Sequence, residues 1–320
     1  MLRTLRKMGE VATSEGWLSL PDSHKLYTKT WFAPVDPPKA RLALVHGFSD
    51  HCNNYGVLFP SLAQQGITVH AFDQRGWGRS VQTPAQRGRT GPTQLVMDDI
   101  TAFIRSLPKG DAPLFLMGHS MGGAQVLTYA ATGPRDVLAG IRGFVCDAPF
   151  VALHPSGRPL ALTVIMGRLA GRLLPHRQMV NKLDATKISR DPEVCKAYEA
   201  DPLCHDTGTL EGLAGMLDRA HDLQAGKVVL PEGVGEGGKT RLWIGHGTGD
   251  RICDYQACRD FYESAAVEDK EMRVYEGWYH KLHDEPGHDK YTFADDVAKW
   301  ILDRCNPASE EPATEAKPKL

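Results

Sequence analysis

The sequence predicts an α/β protein whose central sheet is mostly parallel and covered by helices on both faces, with a helical cap inserted late in the chain. Three observations carry this. Short apolar runs that read as buried strands alternate with helix-compatible stretches. Glycine-rich and polar loops follow those strands, where sites in such sheets lie. The alternation then stops near residue 150 and resumes after 225. At 320 residues and 42% hydrophobic content, one enlarged domain is expected, since no repeat or linker divides the chain. Residues 1–149 and 226–305 are assigned to the core and 150–225 to the cap. The Pro-, Glu-, Lys- and Ala-containing tail, 306–320, is expected to be disordered.

In chain order, strands are expected around 17–20, 26–32 and 41–45, with the Pro-rich stretch 34–38 as a loop between the last two. His46-Gly47-Phe48-Ser49-Asp50-His51 follows directly. It is either an ordinary turn or, in a serine hydrolase, the loop that lends a backbone N–H to an oxyanion. The strand at 67–72 runs into Asp73-Gln74-Arg75-Gly76-Trp77-Gly78-Arg79-Ser80, a turn with a scaffolding role, and a helix is expected over 93–106. The apolar run 114–118 then meets Gly118-His119-Ser120-Met121-Gly122 and a helix-compatible stretch. Strand, sharp turn and helix with Gly-x-Ser-x-Gly make a nucleophile elbow. A Cβ on either side of the serine would strike a neighbouring element, and a helix N-terminus beneath it favours developing negative charge. Taken alone, the five residues are equally an incidental glycine-rich turn. A further strand, 141–146, ends at Asp147.

The cap is rich in helix formers and arginine. Within 159–174, Leu162, Ile165, Met166, Leu169 and Leu173 recur at helical spacing, with Arg168 and Arg172 on another side. Such a stripe packs inside the cap or faces a lipid surface. Gly233-Val234-Gly235-Glu236-Gly237-Gly238-Lys239-Thr240 spells a phosphate-binding P-loop, but a short strand follows instead of the helix that would hold the phosphates. It is read as a flexible loop.

That strand delivers Asp250, and the next, at 272–275, delivers His280. Serine, acid and histidine in this order are expected of an α/β-hydrolase, so Ser120, Asp250 and His280 form the candidate triad. Asp147 and Asp254 are alternative acids, and His283 and His288 alternative bases, with His283 read as a supporting or surface residue. The Phe48 and Met121 amides are the candidate oxyanion donors. A metal on His280 and His283 lacks a further ligand cluster nearby, and neither metal nor cofactor is expected.

The net charge of -2, without a dense basic block, argues against nucleic acid. The basic start, Met1-Leu2-Arg3-Thr4-Leu5-Arg6-Lys7, leads into no long apolar run, so no secretory signal is expected, and no span suits a bilayer. Seven scattered cysteines suggest reduced thiols in a cytosolic protein. Pro318-Lys319-Leu320 departs from a peroxisomal address at its first residue.

Together the elbow Gly118-His119-Ser120-Met121-Gly122-Gly123, the turn at 73–80, Gly249-Asp250-Arg251-Ile252-Cys253, Tyr275-Glu276-Gly277-Trp278-Tyr279-His280-x-x-His283 and Tyr198-Glu199-Ala200-Asp201-Pro202-Leu203 in the cap resemble the monoacylglycerol lipases of the α/β-hydrolase fold. The resemblance runs from about Trp17 to Leu302. It implies cleavage of monoacylglycerols to fatty acid and glycerol, with Ser120 as nucleophile, Asp250 and His280 as its partners, and the amides of Phe48 and Met121 as oxyanion hole. It also implies an apolar mobile cap, a cytoplasmic protein peripheral to membranes or lipid droplets, and a free cysteine near the acid, here Cys253. The glycerol end would be lined by Asp50, Asn54 and Tyr198. The family has Glu and Arg at the first two of these positions, and Asn54 lacks the charge and reach of a guanidinium. A lysophospholipase, or another ester or thioester hydrolase, fits the same triad, and a ligand-binding protein without turnover is the non-enzymatic alternative.

Overall fold

The computed structural model describes residues 11–158 and 160–305. The strands are β1 (Thr13–Ser19), β2 (Lys25–Trp31), β3 (Ala40–Val45), β4 (Ile67–Phe72), β5 (Leu114–His119), β6 (Ile141–Asp147), β7 (Gln178–Val180), β8 (Thr207–Thr209), β9 (Arg241–Gly247) and β10 (Asp269–Tyr275). The helices are α1 (Leu58–Gln64), α2 (Thr93–Ser106), α3 (Met121–Thr132), α4 (Arg135–Leu138), α5 (Ala161–Leu173), α6 (Pro192–Ala200), α7 (Leu210–Gln224), α8 (Tyr255–Ser264) and α9 (Asp289–Asp303).

Eight strands form one sheet in the order β1-β2-β4-β3-β5-β6-β9-β10, and β7 pairs with β8 separately. Strands β1 and β2 run antiparallel to their neighbours, and the rest are parallel. The period of two decides the layers. Leu42 and Leu44 of β3 and Phe115 and Met117 of β5 join a core with Phe59 of α1 and Phe293 of α9. Ala43, Val45 and Leu116 point the other way, into a core with Phe103 of α2, Val126 and Leu127 of α3 and Phe261 of α8. Both faces are therefore buried, as the near-continuous apolar strands require.

The chain passes from β3 to β4 on one side and then to β5 on the other. A crevice opens where such an order reverses, at the carboxyl ends of the strands. The loop after β3 and the turn after β5 meet there. Between β6 and β9 the chain adds α5, α6 and α7, and Ala220 and Leu223 of α7 reach the core beside α3.

The edge strands are longer than expected: β1 begins at Thr13 and β10 at Asp269. Both are largely exposed, so their first residues carry no apolar alternation that a sequence pattern could register. The segment 233–240 contains a single 3₁₀ turn and leads into β9. It is tethered, because the Glu232 carboxylate accepts the N–H groups of Thr240 at 2.8 Å and Glu268 at 3.2 Å. All seven cysteines are unpaired. Among the described residues no helix is long and apolar enough to cross a membrane. The basic start at 1–7, the tail at 306–320 with its last three residues, and the side chains of Leu162 and Ile165 lie outside what is described.

Candidate active site

Ser120 sits between β5 and α3 with φ 53° and ψ -118°, a conformation that costs a non-glycine residue about 1–3 kcal/mol. Neighbouring elements enforce it. The Ser120 N–H donates to Asp147 O at 2.9 Å, and Ser120 O accepts from the Phe150 N–H at 2.9 Å. The flanking glycines are needed for space: a Cβ at Gly118 would lie 2.2 Å from Gly122 O, and one at Gly122 only 2.1 Å from Val45 O of β3. Helix α3 can start beside β3 only because that Cβ is missing.

The loop after β3 touches the elbow, since a Cβ on Gly47 would stand 3.2 Å from Ser120 Cβ. Its neighbour Phe48 packs on Trp77, with ring centroids 4.8 Å apart, in a small cluster that also holds Met121. As the first residue of α3, Met121 has an N–H with no intrahelical acceptor. His46 fixes the loop. Its Nε2 accepts from the Gln74 N–H at 2.9 Å, which leaves the proton on Nδ1, 2.8 Å from Gly47 O. Burial lowers the pKa of this imidazole, in keeping with the neutral form. The turn at 73–80 braces the same loop: the Asp73 carboxylate accepts the N–H groups of Cys52 at 2.8 Å and Arg79 at 2.7 Å.

The loops after β9 and β10 interlock, because a Cβ at Gly247 would lie 2.3 Å from Trp278 O. That closeness joins Asp250 to His280, with Oδ2 and Nδ1 2.7 Å apart. His246 Nε2 lies 3.2 Å from the same oxygen, and Oδ1 accepts the N–H groups of Ile252 at 2.7 Å and Cys253 at 3.0 Å. Burial alone would raise this carboxyl, but the two imidazoles hold it well below the usual carboxylate range. The buried Cys253 thiol is pushed far up by burial.

The alternative partners are engaged elsewhere. Asp147 Oδ2 lies 2.6 Å from His283 Nδ1 and 3.0 Å from His119 Nδ1. His283 is fully buried, not a surface residue, and stacks on Tyr55 at 4.5 Å. Asp254 caps α8 by accepting the Gln256 N–H at 3.0 Å, and it pairs with Arg158 at 2.7 Å. His288 is the residue preceding α9. His280 and His283 thus face different aspartates and do not converge as a metal pair.

Ser120 and His280 line one small cavity of about 20 Å³, together with Phe48, Asp50, Tyr198 and Lys281. Asp50 accepts from Tyr55 Oη at 2.7 Å and Asn54 Nδ2 at 2.9 Å. Tyr198 donates to Asp206 Oδ1 at 3.1 Å. Asn54 itself does not line the cavity; its amide is spent on Asp50 and on Cys204 Sγ at 3.3 Å. Lys281 was not foreseen, because its burial among His280, Leu282 and His283 shows only in the fold. Leu183 borders both this cavity and a second one of about 370 Å³, lined by Met179, Leu210, Leu213, Met216 and Leu217.

A serine at a strand-to-helix turn, lining one cavity with an aspartate-bound histidine, has the makings of an acyl-transfer site. Residues 36–287 match the family described as serine aminopeptidase, S33. A putative monoglyceride lipase from Schizosaccharomyces pombe is 35% identical over 287 residues, which cover 88% of this chain and 72% of that protein. The monoacylglycerol lipase structure from Paleococcus ferrophilus superposes with a TM-score of 0.73 at 28% identity, covering 87% of this chain and 99% of the other. A soluble variant of the Saccharomyces cerevisiae monoglyceride lipase, in complex with a substrate analog, gives a TM-score of 0.82 at 24% identity, covering 94% and 100%, and so shares the fold.

Proposed function

Since the chain belongs to the monoglyceride lipase family of α/β-hydrolases, we propose that it cleaves monoacylglycerols to free fatty acid and glycerol through an acyl-enzyme on Ser120. The observation that carries this reading is the Asp250–His280 pair, 2.7 Å apart, with His280 and Ser120 lining one cavity that adjoins a larger apolar one.

His280 takes the proton of Ser120 Oγ as the oxygen attacks the ester carbonyl. Asp250, bonded to Nδ1, keeps Nε2 as the accepting nitrogen and stabilises the imidazolium that forms. The N–H groups of Phe48 and Met121 stabilise the tetrahedral oxyanion, each such donor being worth about 10²–10³ in rate. The imidazolium returns its proton to the departing glycerol oxygen. Water then attacks the acyl-enzyme by the same route, and the fatty acid leaves.

The cavity of about 370 Å³ suits one acyl chain, and Leu183, at its junction with the Ser120 cavity, must move aside for an extended chain to reach the serine. Residues 150–225 act as the cap over this channel. Away from that channel it carries exposed Leu160, Met166, Leu169, Leu173, Leu174 and Val180, apolar surface that supports peripheral docking on a membrane or lipid droplet. A cytoplasmic enzyme drawing substrate from such a surface is the reading this favours. Asp50 and Tyr198, with Asn54 holding Asp50, form the glycerol end.

Fatty-acid release from matched mono-, di- and triacylglycerols and a lysophospholipid, with Ser120→Ala as blank, tests the reading. A strong monoacylglycerol preference that vanishes in the variant is expected. If the lysophospholipid is cleaved best, the triad stands and the head-group assignment falls.

A further inference from the structure

The residue after the proposed base is a buried lysine. Lys281 is 7% exposed and lines the Ser120 cavity with Asp50 and Tyr198. Its N–H donates to Ile188 O at 2.8 Å, which fixes the backbone against the cap. Burying an ammonium is costly unless it is partnered, and here Asp284 Oδ2 lies 2.7 Å from Nζ while Asn54 O accepts at 3.4 Å. Burial works against the charge, but Asp284 and Asp50 outweigh it and keep the amine protonated. An ammonium has three donors. Two are directed at Asp284 and Asn54, and the third is left for whatever enters the cavity.

Asp50 supplies the complementary group. It lines the same cavity, and the charge of Lys281 holds its carboxyl in the ionised form despite burial. A donor and an acceptor thus flank the space next to Ser120. Asp50 and Lys281 are the carboxylate and the ammonium that line this cavity, so the pair offers no net positive charge to a phosphate and suits a neutral group that can both donate and accept.

We propose that Lys281 recognises the leaving group of the ester: its ammonium donates to a hydroxyl of a neutral polyol head group, while Asp50 accepts from that polyol. The proposal deepens the monoacylglycerol reading and rests on it. It makes Lys281 a specificity residue, the cation that Asn54 does not provide.

The test compares kcat/KM for a 1-monoacylglycerol and for the methyl ester of the same fatty acid, in the wild type, Lys281→Met and Lys281→Arg. A site built to bond a substrate hydroxyl discriminates strongly against an analogue lacking it, so Lys281→Met lowers the ratio of glycerol ester to methyl ester by roughly tenfold or more, chiefly through KM. Lys281→Arg, which keeps a cation, recovers most of that ratio. If Lys281→Met does not fold, Lys281→Gln is judged on the same ratio. A ratio within about twofold of wild type, or equal losses on both esters, makes Lys281 a structural residue and overturns the proposal. A wild type with no preference for the glycerol ester brings down the monoacylglycerol reading itself, whereas a preference that survives Lys281→Met brings down only the lysine assignment.

Discussion

His280 Nδ1 and Asp250 Oδ2 lie 2.7 Å apart, and the other oxygen of that carboxylate is held by the backbone N–H groups of Ile252 and Cys253. The imidazole is therefore oriented from a fixed point. Replacing Ser120 or His280 by Ala is expected to lower kcat by roughly 10⁴-fold or more, and Asp250→Asn by about 10⁴-fold through loss of the required tautomer. Steady-state hydrolysis of a soluble ester measures each. A single variant that retained a tenth of the activity would remove that residue from the triad.

His283 makes a contrasting case. Its Nδ1 lies 2.6 Å from Asp147 Oδ2 and its ring stacks on Tyr55, whose hydroxyl reaches Asp50. His283→Ala takes one of two imidazoles from the buried Asp147 carboxylate, and losing a hydrogen bond to a charged group costs about 1.5–3 kcal/mol. A clear drop in Tm is expected, with a loss of kcat, measured well below that Tm, of less than about 100-fold. Were His283→Ala the more damaging of the two histidine variants for kcat, the identity of the base would have to be exchanged.

Acid stability follows from the same groups. Burial opposes ionisation of Asp50, Asp147 and Asp250, yet Lys281 and the neighbouring imidazoles hold all three carboxyls below the usual range. An unfolded aspartate takes up its proton near pH 3.9. The native state therefore binds fewer protons there, and this stabilisation is present above about pH 4 and lost below it. His46, His283 and His70 are lowered by burial, His70 to about 4, and act in the same sense below about pH 6.5. His119 and His246 are raised, by Asp147 and by Cys258 with Asp250 against burial, and act in the opposite sense. His24 and His205 are lowered by burial as well, so the lowered imidazoles outnumber the raised ones, and Tm should fall gently from pH 7 to 5 and steeply below about 4. A Tm still flat at pH 3 would contradict the depressed carboxyls.

What the sequence made legible was whatever sits within one loop. The elbow could be read because Gly118 and Gly122 answer a steric demand that only glycine meets, and Asp250 and His280 because each stands in a glycine-containing loop directly after a strand. Asp147 was a plausible acid until its pairing with His283, 136 positions away, was visible. Lys281 escaped notice because its meaning depends on Asp50, distant in the chain, and on a cavity no spacing reveals. The three-residue strands β7 and β8 are too short for any periodicity. Nor could the stripe on α5 be assigned a partner by pattern, since helical spacing records an apolar face without recording what covers it.

Of that stripe, Met166, Leu169 and Leu173 point outward, and Leu173 is 83% exposed; nearby Leu160 is 78% and Val180 72% exposed. Fully burying one leucine is worth about 1.5–3 kcal/mol, so two that enter a lipid interface even partway could dominate docking. Arg168 is paired with Asp218, whereas Arg172, Arg177 and Lys182 are exposed close to these residues in the chain. Vesicles of neutral phosphatidylcholine therefore isolate the apolar contribution, and anionic lipid should add a salt-dependent one. Leu160→Glu with Leu173→Glu is expected to weaken co-sedimentation with phosphatidylcholine vesicles at least about tenfold and to slow hydrolysis of substrate presented in them. Hydrolysis of a dissolved short-chain ester should stay within about twofold, because neither residue lines the channel. If the wild type does not sediment with vesicles, or the double variant sediments equally well, the patch has another role and the substrate must reach the cavity from solution.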